Sequence, residues 1–258
     1  MRFGVCCQTP SLFPRVKELG YDYIEYNLAK LYTLTDEEFE DLKKALNENG
    51  FKAEVSNCFI PGDVKTVGYD VDYNHLAEYT EKCMARFKEL GGEISVFGSG
   101  KQRNIPDDID RETGIDQFCK TLNVCADIAA KYGIKIAIEP LNTDETNLIN
   151  TVADSIEICK RSGNKNVYTI ADFYHVFRSG ETMDAIENNE GYLIHAHLAR
   201  ANMDRRIPQE ECDIADCKKW AAALKKSGYD ARLSLEGSWK PEFSETIELV
   251  LPFLEYFK

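Results

Sequence analysis

Histidine, tryptophan and positive charge are all scarce in this chain. It has four histidines and two tryptophans in 258 residues, and 31 Lys and Arg stand against 44 Asp and Glu, a net charge of -13. A surface this acidic repels phosphate backbones and carries no basic stripe, so nucleic acid is not expected as a partner. No segment approaches the ~20 consecutive apolar residues of a membrane span, which excludes a membrane protein. The opening MRFGVCCQTP lacks the apolar stretch of a secretion signal, and a cytoplasmic location is expected. Nine cysteines are present but none forms a C-x-x-C pair, which excludes thiolate zinc sites of that spacing. They read as buried, reduced thiols, with Cys6, Cys7 and Cys58 near strand ends where one could line a pocket. Two further absences matter. The turn after the first apolar run reads CCQTPSLF, with no G-x-G-x-x-G, and no G-x-x-x-x-G-K-[ST] occurs anywhere. A dinucleotide fold and a nucleotide loop are both disfavoured.

What the chain does have is one device used repeatedly. A polar helix end runs into glycine and an apolar strand follows, as in KELGYDYIEY, AKYGIKIAIE and KSGYDARLSL. Glycines 20, 50, 91, 133, 163, 191 and 228 occupy that position. Glycine just past a helix stops it by taking the left-handed conformation. The helices between carry apolar stripes: Leu76, Tyr79, Cys83, Phe87 and Leu90; Phe118, Leu122, Cys125 and Ala129; Phe243, Ile247, Val250 and Leu254. Thr35 with Glu38 reads as a capping box. Eight strands are expected, near 2–7, 21–27, 51–58, 93–99, 135–140, 167–172, 192–199 and 231–237. Eight such βα units close into a single (β/α)8 TIM barrel, an α/β fold spanning residues 1–258 as one domain.

In such a barrel the active site lies where strands end. The last four strands end on groups able to bind metal: Glu139 in IAIEP, Asp172 in YTIAD, His197 in LIHAHLA and Glu236 in LSLEG. Alone, each has a structural explanation, as a salt-bridged carboxylate, a helix cap or a core histidine. Together they would gather three carboxylates at one point, and a divalent metal is the natural counter-charge. Oxygen and imidazole donors suit Mn2+ above all, with Co2+, Mg2+ or Zn2+ as alternatives. Two free positions on such an ion would take two oxygens of a hydroxy-ketone.

E-P-L-N-T-D-E-T-N at 139–147, D-F-Y-H at 172–175, H-A-H at 195–197 and L-E-G at 235–237 resemble the xylose isomerase-like barrels, and within them the D-tagatose and D-psicose 3-epimerases. The resemblance implies a sugar isomerase or epimerase, with Glu139, Asp172, His197 and Glu236 as metal ligands and Glu145 and His175 as substrate contacts. It also points to Arg205 in D-R-R-I-P, which stands further from His197 than the family spacing. The implied reaction is ketose 3-epimerisation through a metal-stabilised cis-enediolate, with Glu139 and Glu236 removing and returning the proton. The substrate would be a ketose or ketose phosphate, and the assembly a homodimer or homotetramer. A hydroxypyruvate isomerase-like or inosose dehydratase-like enzyme on the same metal site is the alternative. A DNA-repair endonuclease is disfavoured by the few histidines and the acidic surface, and a sugar-binding regulator by the intact acid–base carboxylates.

Other residues near strand ends are read as follows. Glu25 is read as bonded to a partner inside the barrel or as touching substrate, His195 as orienting a neighbouring ligand or as structural, and His75 as a surface or capping residue. Lys101 and Arg103 in FGSGKQRNIP are candidates for a phosphate or for covering a free sugar. Phe13, Phe59, Phe97 and Trp239 are candidates for an apolar wall or for packing of the loops.

Overall fold

Eight parallel strands close in sequence order into one barrel in the computed structural model, which describes residues 1–240 and 242–258. They are β1 (Arg2–Cys6), β2 (Tyr23–Asn27), β3 (Ala53–Asn57), β4 (Ile94–Phe97), β5 (Lys135–Ile138), β6 (Val167–Asp172), β7 (Leu193–Leu198) and β8 (Arg232–Leu235). The expected barrel is therefore present. Its strands stop a residue or two inside several of the expected limits, because the ladder bonds give out as the chain turns into the loops. Among the described residues no helix is long and apolar enough to cross a membrane.

All seven glycines of the repeated device have positive φ. Gly163 shows why: it closes the helix Val152–Ser162 at φ 66° and donates its N–H to Lys160, a backbone state that a Cβ penalises. The capping box of Thr35 and Glu38 forms as expected, and all nine cysteines are free.

Two cores hold the molecule. Inside the barrel, Tyr23, Val55, Ile94, Val96, Ala137 and Ile170 pack together below the strand ends. Gly4 makes room for them, since a Cβ there would sit 2.2 Å from the Tyr23 ring. Outside, the helix stripes pack on the strands. Leu76, Tyr79, Cys83 and Phe87 on the helix Tyr73–Glu89 are all buried, and so are Phe118, Leu122, Cys125 and Ala129 on Arg111–Lys131. Phe13, Phe59 and Phe97 belong to this outer core and are fully buried. They form no pocket wall, because Phe59 and Phe97 stack on each other at 4.8 Å. At the N-terminal end of the barrel, Glu54 accepts two bonds from Arg2, at 2.5 and 2.7 Å, and one from Arg232 at 2.7 Å.

Candidate metal and sugar site

Strand register brings the four expected ligands together. Asp172 pairs with His197 across β6 and β7, and His197 pairs with Ser234 across β7 and β8. Glu139 and Glu236 follow the last residues of β5 and β8, each tied by its N–H to the preceding strand, at Phe97 and Leu198. One donor atom from each of Glu139, Asp172, His197 and Glu236 lies within 4.8 Å of the others. His197 Nδ1 stands 2.9 Å from Glu236 Oε2, 3.4 Å from Glu139 Oε1 and 3.7 Å from Asp172 Oδ2.

The site is buried and its polar atoms are not all satisfied. Glu139 Oε1, His197 Nδ1 and His175 Nε2 are buried with no hydrogen-bond partner. Unpaired buried polar atoms are costly, so three of them facing one point mark a place for a ligand. The donor set of carboxylate oxygens and one imidazole nitrogen fits a divalent cation. A cationic group already sits against it: Arg205 Nη2 bonds Asp172 Oδ2 at 2.5 Å and Glu236 Oε2 at 2.7 Å.

The local field splits the carboxylates. Burial pushes Glu139 up to about 8, reinforced by the negative charge of Glu236. Burial also opposes ionisation of Asp172, but the Arg205 guanidinium and the imidazoles of His175 and His197 outweigh it and hold the acid well below its usual range. Glu236 is likewise lowered, by His197 and Arg205 against its own desolvation. Asp172 has two duties: Oδ1 caps the helix Phe173–Arg178 through the N–H groups of Tyr174 and His175, and Oδ2 faces the cluster.

Around this centre the loop after β5 is built as a bracket. Asn142 donates Nδ2 to Glu145 Oε1 at 2.9 Å, and its backbone N–H donates to His175 Nδ1 at 3.1 Å. His175 Nδ1 is thereby an acceptor, so its proton is on Nε2, which lies 3.9 Å from both Glu139 Oε1 and Asp172 Oδ2. Burial lowers the His175 pKa. Glu145 and Arg205 remain partly exposed at the mouth.

Three expectations need correction or completion. Arg103 takes no part in anion binding: it is wholly buried and donates to the carbonyls of Phe97, Glu139, Leu148 and Ile149. That use ties the loop carrying Glu145 to the ends of β4 and β5. Cys6 and Cys58 do approach the site, and Cys7 does not. Asn57 Nδ2 reaches Cys6 Sγ at 3.3 Å, the Cys58 thiol is raised by desolvation of its sulfur and then by Glu236 although the residue keeps an exposed edge, and Cys7 turns to Thr9. Glu25 is bonded within the barrel, to His195 and His197.

Asn142, Asn57 and Gly98 were missed. Asn57 ends β3 and donates to Glu236 Oε1 at 2.8 Å. The strand-end rule that found the ligands would have found it too. Gly98 follows β4, and a Cβ there would lie 1.8 Å from Glu139 Oε2.

Comparison with known proteins adds four findings. The family model described as xylose isomerase-like TIM barrel matches residues 13–253. The 3-dehydro-D-guloside 4-epimerase of Escherichia coli (strain K12) is 27% identical over 237 residues, covering 89% of this chain and 87% of that protein. The D-psicose 3-epimerase of Agrobacterium fabrum is 25% identical over 201 residues, covering 75% and 68%. A solved structure of D-psicose 3-epimerase with D-tagatose from Clostridium cellulolyticum H10 superposes with a TM-score of 0.79 at 19% identity, covering 96% of this chain and 90% of that one.

Proposed function

The chain belongs to the xylose isomerase-like TIM barrel family, and from that premise we propose that it is a metal-dependent ketose epimerase acting at the carbon beside the ketone. One observation carries the reading: four ligand-type donors on consecutive strand ends converge within 4.8 Å. Glu139, Asp172, His197 and Glu236 would hold one divalent ion. When bound, it supplies a Lewis acid for the ketone oxygen and the neighbouring hydroxyl. Manganese is the ion we favour, on donor type.

The chain's own groups do the proton transfer. Glu139 and Glu236 enter the site from β5 and β8. One, as carboxylate, takes the proton from the carbon acid, and the other, as carboxylic acid, delivers its own proton to the opposite face; exchange with solvent resets the pair, and the configuration of the substrate decides which acts first. His175 Nε2–H is an unpartnered donor aimed at the same point, placed to donate to a substrate oxygen as negative charge grows there. Glu145 and Arg205 bind the remaining hydroxyls at the mouth.

Position 3 is our first choice, from the motif at 139–147. Reaction at position 4 of a keto-glycoside is the second reading. It is favoured by one observation: the 4-epimerase relative matches a larger share of both chains than the 3-epimerase does. A panel of free ketoses, ketose phosphates, 3-keto-glycosides and hydroxypyruvate, incubated with the Mn2+-loaded protein in heavy water, separates them. Deuterium entry at C3 of a ketose supports the first reading, and entry at C4 of a 3-keto-glycoside the second. Exchange into no ketone under full metal loading defeats both.

A further inference from the structure

Glu25, on β2, lies across the barrel from the metal strands and outside the four-residue cluster, yet it is fully buried. Its two oxygens are divided. Oε1 lies 2.9 Å from His197 Nε2, and Oε2 lies 3.0 Å from His195 Nε2. His195 and His197 are two residues apart on β7, so both rings project to the same side of the strand. Both are fully buried, and the Nδ1 atom of each is left without a partner. An ionised carboxylate only accepts hydrogen bonds. The bridge therefore requires a proton on Nε2 of both rings, which leaves His197 Nδ1, the atom facing Glu139, Asp172 and Glu236, as that ring's one nitrogen able to ligate a cation.

We propose that Glu25 is a positioning residue for the metal centre: it locks His197 in the Nε2–H tautomer and in the ring orientation that presents Nδ1 as a ligand. This rests on the metal-site reading above and goes beyond it in assigning a role outside the cluster. The need is physical. An imidazole with no partner on its far nitrogen can flip or carry its proton on the wrong atom, and either change removes one of four ligands. A buried carboxylate behind a ligating histidine prevents both and makes the ring a stronger donor. His195 completes the device by occupying the second oxygen, which keeps the Glu25 carboxylate from rotating away.

Glu25→Gln tests this with little change of shape. An amide has one acceptor oxygen and one donor nitrogen, so it cannot accept from both rings. One histidine must then move its proton to Nδ1. On His197 that proton blocks the ligand, and on His195 it is buried with nothing to accept it. The probe is Mn2+ alone, titrated into chelator-stripped protein and read by the electron paramagnetic resonance signal of the free ion. The expected result is binding 10–100-fold weaker than wild type, with most turnover restored at saturating Mn2+. Independently, nitrogen-15 histidine spectra of the Zn2+-loaded wild type should show His197 protonated at Nε2 and ligated through Nδ1. Equal Mn2+ affinity in Glu25→Gln overturns the inference, as does a His197 ligated through Nε2. If Glu25→Gln does not fold, the wild-type spectrum decides alone. A wild type that binds no metal at all overturns the site reading itself, a different outcome from a wild type and variant that bind alike.

Discussion

Gly98→Ala isolates the position of one carboxylate from everything else in the fold. The added Cβ would stand 1.8 Å from Glu139 Oε2 and 3.0 Å from its Cδ. An ordinary contact needs roughly 3.5 Å, so the carboxylate oxygen must retreat by about 1.7 Å. Two facts keep the cost to the fold small. Gly98 is not among the positive-φ residues, so alanine fits its backbone. The clashing atom is the end of a side chain with free torsions, and an off-rotamer Glu139 costs about 1 kcal/mol. Replacing glycine by alanine at a compatible site returns about 0.4–1 kcal/mol by restricting the unfolded chain. Melting should therefore move by no more than about 4 °C.

The effect on activity should be far larger. A displacement of ~1 Å at a reacting group costs about 100-fold, and Glu139 is proposed both as metal ligand and as proton carrier. We expect kcat/KM for the best substrate of the panel to fall at least about 100-fold, with weaker Mn2+ binding and a nearly unchanged melting curve. A variant within fivefold of wild type in both turnover and Mn2+ affinity would refute the placement of Glu139. A variant that loses stability in proportion to activity would refute the claim that the glycine serves the site.

Three other outcomes are expected. Glu54→Gln should lower stability by about 2 kcal/mol at neutral pH, the worth of hydrogen bonds to charged groups, because Glu54 accepts from both Arg2 and Arg232. Against its own desolvation, those arginines hold the Glu54 pKa below its ordinary value, so the difference from wild type should be full above the unfolded pKa of about 4.3 and shrink as pH falls through the lower folded value; melting across pH 3–8 checks it. Arg103→Met leaves the carbonyls of Phe97, Glu139, Leu148 and Ile149 without that donor. Phe97 and Ile149 keep backbone donors, from Glu139 and Leu141, so at about 1–3 kcal/mol for each of the other two groups the loss should be at least about 2 kcal/mol, and limited proteolysis should open the 141–149 loop first; a loop as resistant as in wild type speaks against the pin. Asn142→Ala should raise KM more than it lowers Mn2+ affinity, because Asn142 holds Glu145 and His175 rather than the ligand cluster.

Much of this could be read before the structure, for identifiable reasons. The barrel was legible because helix ends announce themselves through glycine, and all seven of those glycines have positive φ. The ligand set was legible because a parallel barrel turns the order of strand ends into neighbourhood in space, which makes Glu139, Asp172, His197 and Glu236 neighbours by topology alone. Contacts that depend on side-chain direction within a loop were not legible. Arg103 looked like an exposed cation in a glycine-rich turn, and its burial follows from the path of the 141–149 loop, which no local pattern specifies. Asn142 sits inside a motif already quoted, but its bridging of Glu145 to His175 depends on the turn that brings position 142 back over β6. Gly98 has no side chain to signal anything; its role is the space it leaves.

The acidic cluster also contradicts the economy of the rest of the core, and that contradiction can be measured. Arg200, also buried, is paired off with Asp213 and Glu210. Glu139 has one oxygen buried without a partner and faces Glu236 and Asp172 of its own sign. Above pH 8, where Glu139 carries its charge, removing that charge relieves repulsion and desolvation, the circumstance in which a neutral replacement is neutral or stabilising. In chelator at about pH 9, Glu139→Gln should melt at or above the wild-type temperature. Saturating Mn2+ should reverse the order, since a ligand held at 100 times its Kd stabilises by about 2.7 kcal/mol and the variant has lost a donor. That crossover is what a function-bearing cluster requires. If Glu139→Gln is less stable than wild type by the same margin with and without Mn2+, Glu139 is an ordinary structural carboxylate, and the case for a metal between strands β5 and β8 loses its first ligand.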